Sequence, residues 1–135
     1  MISEGKHRAV AVASDIQFGK TGTGTNQIAV PFAIEDGPDA GSVITYFGFF
    51  SEAARDRTIE SLRRCGWTGD DLRDLGPMNR PVEIVVEHDE YNGKVRPKVK
   101  WVNSLGGVKL KDQLDESEMD SFADEMKSII SGAPF

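Results

Sequence analysis

At 135 residues, with 39% hydrophobic and 28% charged content, the chain has the length and composition of one soluble globular domain. No apolar run approaches the roughly 20 residues that span a bilayer, the N-terminus lacks a signal-peptide stretch, and the single cysteine, Cys65, excludes an internal disulfide and a multi-cysteine zinc site, so a cytoplasmic, reducing compartment is expected. The net charge of −6 is uneven: residues 1–111 carry fifteen basic against fifteen acidic side chains, and residues 112–135 carry Lys127 against seven acids, which leaves a neutral body free to hold a local basic surface beside an acidic tail.

In chain order, His7 to Phe18 sets Val10, Val12, Ile16 and Phe18 in alternation with small or polar residues and predicts a strand. The polar loop Lys20-Thr-Gly-Thr-Gly-Thr25 follows, with Lys20 a candidate phosphate contact. It is no P-loop: that motif ends in Gly-Lys-Ser/Thr and opens a helix, whereas here the triplet comes first and a strand comes after. Asn26 to Glu35 predicts a second strand with Ile28, Val30, Phe32 and Ile34 on one face, and Pro31 marks an edge or a bulge. After the turn cluster Asp36-Gly-Pro-Asp-Ala-Gly41, Ser42 to Phe50 predicts a third strand. A helix is expected from Ser51, its cap, to Gly66, its left-handed stop, with Ala54, Thr58, Ile59, Leu62 and Cys65 as the buried stripe. In the connector, Asp70, Asp71 and Asp74 lack the spacing of a calcium loop and read as acids of a short helical turn, with Leu72 and Leu75 tucked in.

Pro81 to Asn103 reads as a hairpin, because Asn92-Gly93 accepts the two positive φ angles of a tight turn between alternating segments. Counting outward pairs Tyr91 with Lys94, Asp89 with Arg96, Glu87 with Lys98 and Val85 with Lys100 on a charged face, and Val86 with Val99 and Ile84 with Trp101 on a core face. The cation row Lys94, Arg96, Lys98 and Lys100 fits two readings, a track for a phosphate backbone or cross-strand ion pairs that keep an exposed sheet face solvated.

The succession strand, strand, strand, helix, strand, strand matches the OB-fold, a five-stranded Greek-key barrel that takes oligonucleotides on its second and third strands and nearby loops. A mainly β protein with flanking helices is therefore expected, as residues 1–111, followed by an amphipathic acidic helix and tail over 112–135. On the third strand, Tyr46-Phe47-Gly48-Phe49-Phe50 splits by alternation, and if Phe50 staples the helix inward, Phe47 and Phe49 face outward with Thr45. Unpaired nucleic acid is held by bases stacked on such rings while cations follow the phosphates. The candidate contacts are Lys20, Phe47, Phe49, Tyr91, Lys94, Arg96, Lys98 and Lys100. The competing assignment makes both aromatic sets core, one against the barrel and one against the tail.

Tyr46-Phe47-Gly48, Thr58-Ile59, Leu62-Arg63, Cys65-Gly-Trp-Thr-Gly-Asp-Asp-Leu72, Val82-Glu-Ile-Val-Val-Glu-His88, Lys98-Val99 and Trp101-Val-Asn103 resemble a group of bacteriophage-encoded single-stranded DNA-binding proteins of OB type, over about residues 26–105. The resemblance implies a replication or recombination accessory in the host bacterial cytoplasm, coating single strands without sequence preference.

In the tail, Asp115-Glu-Ser-Glu118 is a capping box, and Met119, Phe122, Met126, Ile129 and Ile130 make one helical stripe. Such a stripe packs on the barrel or on a second subunit, and a homodimer is expected. Bacterial single-stranded DNA-binding proteins end in an acidic segment tipped with Pro-Phe that recruits replication partners. Pro134-Phe135 is similar, although here the acids stop at Glu125 and sit on a helix, so Met119, Phe122, Met126, Pro134 and Phe135 are the candidate partner contacts.

An enzyme is not expected. His7 and His88 are far apart in the chain, no nucleophile–histidine–acid arrangement or paired carboxylates stand out, and no cofactor or metal is implied. Two functions remain: a sequence-independent single-strand binder, and an OB-type interaction adaptor acting through its C-terminal helix.

Overall fold

The computed structural model describes residues 1–105 and 112–132. Among the described residues, six strands form one antiparallel sheet: β1 (Gly5–Ala11), β2 (Gln17–Lys20), β3 (Asn26–Ile34), β4 (Val43–Phe49), β5 (Val82–Tyr91) and β6 (Lys94–Ser104). Helix α1 (Arg55–Arg64) follows β4, and α2 (Glu116–Gly132) follows the sheet. Neither is long and apolar enough to cross a membrane.

The sixth strand arises from a break in the predicted first one. A 3-10 turn at Ala13–Asp15 separates β1 from β2, yet both halves pair with β3, Ala11 opposite Phe32 and Gln17 opposite Ala29. The break falls opposite Pro31. The Pro31 carbonyl accepts from Val12 N–H at 2.8 Å, but its ring nitrogen has no proton to return, so the ladder cannot continue there. The break also changes the core face: Ala9 and Ala11 are the buried residues of β1, Val10 is half-buried, and Phe18 is exposed.

β3 holds β4 on its other edge, Ala29 opposite Phe47 and Phe32 opposite Ile44. β1 also pairs with β5, and β5 with β6, so the ladder ends at β4 on one side and β6 on the other. These two terminal strands lie next to each other, and among the described residues no ladder joins them. Ile28, Val30, Phe32, Ile44, Tyr46, Val82, Ile84, Val86, Val99 and Val102 fill the interior, with Leu62, Cys65, Trp67 and Met78.

α1 begins later than expected. Ser51 contributes its carbonyl, which accepts from Ala54 and Arg55, and the helix cap at Ala54 has no side-chain bond. The C-terminus follows the sequence: Gly66 at φ 114° lets its own N–H reach Arg63 O and Trp67 N–H reach Leu62 O, which satisfies the last carbonyls. The connector forms turns and no helix, with Leu72 and Leu75 packed on the core. The N-terminal residues are tied down by both histidines, whose Nε2 atoms lie 2.7 Å from Ser3 O (His7) and from Ile2 O (His88).

Candidate nucleic-acid interface

The outward face of β4 is set by what lies beneath it. Ile44, Tyr46 and Gly48 point into the core, and the Tyr46 hydroxyl donates to Ser61 Oγ on α1 at 3.3 Å. Alternation then turns Phe47 and Phe49 outward, 56% and 40% exposed, with Thr45 half-buried between Val43 and Phe47 on the same face. Both rings stand beside the unladdered line between β4 and β6.

The hairpin completes this surface with one departure from the expected register. Tyr91 faces Lys94, Asp89 faces Arg96, Glu87 faces Lys98 and Val86 faces Val99, as the Asn-Gly turn requires. Beyond Val86 the pairing slips by one: Val85 faces Trp101 and Ile84 faces Val102, leaving Lys100 as the extra residue of a bulge. Trp101 therefore leaves the core position predicted for it and turns outward, 41% exposed, while Val99 and Val102 stay buried. The expected pairing of Val85 with Lys100 is lost for the same reason.

Two clefts run along the line between β4 and β6. The first, about 570 Å³, lies under α1 and is lined by Phe49, Arg57, Arg64, Lys98, Lys100 and Trp101, among others. The second, about 320 Å³, lies towards the hairpin turn between Thr45, Phe47, Tyr91, Arg96 and Lys98. They share Phe47, Phe49, Lys98 and Val99, so one continuous trough passes from the turn to the helix.

Of the eight predicted contacts, the trough gathers Phe47, Phe49, Tyr91, Arg96, Lys98 and Lys100. Lys94 stands across the turn from Tyr91 and lines neither cleft. Lys20 ends β2 opposite Asn26, on the strand face shared by Phe18 and Ile28, away from the two phenylalanines. Lys100 bonds Glu87 at 3.3 Å, so the solvated-face reading holds for that cation. Among the described residues no carboxylate lies within ion-pair distance of Lys94, Arg96 or Lys98.

Trp101, Arg57 and Arg64 line the trough as well and were not among the predicted contacts. Trp101 was counted as core, and Arg57 and Arg64 sit on the helix face directed at β6. The Arg57 guanidinium lies 5.0 Å from the Trp101 ring centroid, and Arg64 Nη1 donates to Val102 O at 2.8 Å. The signal that locates Trp101 is the spacing of Val99 and Val102: two buried residues three apart in a strand require an extra residue between them.

In α2, Asp115 and Glu118 form the predicted reciprocal cap, at 2.7 Å from Glu118 N to Asp115 Oδ1 and 3.3 Å from Asp115 N to Glu118 Oε1. Met119, Phe122, Ile129 and Ile130 are exposed and Met126 is half-buried, so the stripe does not pack on the sheet as one expectation had it. Pro134 and Phe135 lie outside the described residues. No protein-family model matches the chain, and no curated protein matches its sequence.

Proposed function

We propose that the sheet is an OB-type Greek-key barrel and that the chain binds single-stranded DNA without sequence preference, as an accessory of phage DNA replication or recombination in the bacterial cytoplasm. The barrel reading draws on the strand succession, on β1 lying between β3 and β5, and on β4 and β6 meeting along the remaining line, with β1 and β2 as two halves of one broken strand. The observation that carries the binding reading is the exposure of Phe47 and Phe49 in a trough that also holds Arg96 and Lys98, neither of which, among the described residues, is in ion-pair contact with the carboxylates opposite them, Asp89 and Glu87. Flat rings accept any base, and cations beside them neutralise phosphates, which together give affinity without sequence readout.

A gel shift of the full chain with labelled oligo-dT tests this. Binding at low salt that falls steeply as salt rises is expected, and no shift at low salt overturns the reading.

The adaptor reading is kept because of α2, whose Met119, Phe122, Ile129 and Ile130 are uncovered. It places recruitment of replication proteins, or dimerisation, on that stripe. Replacing Met119 and Phe122 together with serine abolishes self-association in sedimentation if the stripe is the dimer contact, and leaves the gel shift in place if the trough is the DNA site.

A further inference from the structure

Trp101 faces the trough only because Lys100 is inserted into β6, and a bulge that re-aims one large ring while its two valine neighbours stay buried is the usual device for presenting a side chain. The ring is not bare. Arg57, reaching across from α1, covers its face at 5.0 Å, and among the described residues no carboxylate pairs with that guanidinium. Arg64, two turns further along the helix, holds the β6 backbone beside the ring through Val102 O. The cleft they line, about 570 Å³, has the size of a small-ligand site and opens at Phe47 and Phe49 into the rest of the trough.

We propose that Trp101 is a further base-stacking platform, covered by Arg57 in the free protein, and that an unpaired polynucleotide gains it by displacing the guanidinium, which then pairs with a phosphate of the same strand. The proposal rests on the reading that β4 takes single-stranded nucleic acid, and it extends that strand's path from the hairpin turn to α1. The exchange has a favourable direction. A guanidinium and a base compete for one indole face, an exposed cation–π contact is the weaker of the two, and the released cation finds an anion. Lys98 lies along the same cleft for a neighbouring phosphate, whereas Arg64 is already engaged by Glu60 and by Val102 O.

The test follows labelled oligo-dT binding to the full chain by anisotropy of the label and by tryptophan emission. The chain has two tryptophans, and Trp67 is buried, so quenching on binding reports Trp101. Wild type is expected to quench, W101F to lose the quench while still binding, and W101A to bind roughly 5- to 100-fold more weakly. R57A is expected to keep the quench and to lower the slope of log affinity against log salt by about 0.7, the share of one phosphate on a single strand, with R57K restoring it. Quenching that survives in W101F, or an R57A slope equal to wild type, overturns the proposal and leaves the β4 reading standing. Absence of any anisotropy change with wild type removes both.

Discussion

A Cβ placed on Gly48 of β4 would lie 2.5 Å from Thr58 Cγ2 on α1 and 3.1 Å from Ile28 Cγ2. The helix is thus seated on the strand at the residue between the two outward phenylalanines, and Thr58 Oγ1 fastens it there by donating to Phe49 O at 2.7 Å. Thr58 is buried, and the bonds of its hydroxyl to Phe49 O and Ala54 O hold the side chain, and so the methyl, where it stands. Gly48→Ala is therefore expected to destabilise the fold by about 1–3 kcal/mol, the cost of overpacking a filled core. Urea denaturation measures it, and an unchanged midpoint contradicts the contact.

Cys65 gives a prediction at alkaline pH. Burial pushes its thiol up to about 12, because the thiolate has no water around it. A folded-state value above the unfolded one means that stability is complete below the unfolded pKa, near 8.5, and drains away as pH rises towards the folded value. Wild type is expected to lose stability between about pH 9 and 11 more steeply than C65A, whose slope lacks this contribution. Equal slopes would mean that the thiol titrates alike in both states.

Asp39 acts at the opposite end of the scale. Its carboxylate accepts from Ser3 Oγ at 2.7 Å and Ser3 N at 3.1 Å, and these bonds hold it below the usual carboxylate value. A depressed pKa contributes above the unfolded value and is lost as pH falls through the lowered one. The Ser3 amide proton is therefore expected to lose exchange protection on acidification below about pH 4, and D39N to remove that pH dependence.

The reciprocal cap of α2 predicts a local effect. Replacing Asp115 with alanine removes the acceptor for Glu118 N–H, at a cost of about 1 kcal/mol to the helix. Because no side chain of α2 is buried, the loss is expected in helical circular dichroism, with the denaturation midpoint of the sheet unchanged. A coupled fall in both would show that the helix supports the body.

What could be read from residues alone was whatever local chemistry determines. Asn92-Gly93 defined the turn and hence the pairing as far as Val86 and Val99, Gly66 defined the end of α1, and Asp115 with Glu118 the start of α2. Phe47 and Phe49 were legible because Ile44 and Tyr46 commit the other parity to the core. The break after Ala11 was half legible: Pro31 announced a defect in its own strand, while the neighbour that yields to it depends on pairing. The bulge at Lys100 carried no glycine or proline to mark it, so Trp101 was assigned by simple alternation to the wrong side. Arg57 escaped notice because its role comes from the approach of α1 to β6, a tertiary relationship with no footprint in spacing.

The unladdered line between β4 and β6 also bears on how the trough meets guests of different bulk. Strands stitched by hydrogen bonds part only when those bonds are broken, whereas two that merely lie side by side can separate by a small slide of side chains. Purines and pyrimidines differ in width, and if the trough takes a single strand as proposed, a seam of this kind would let its floor adjust to either without disturbing the pairings that keep the rest of the sheet in register.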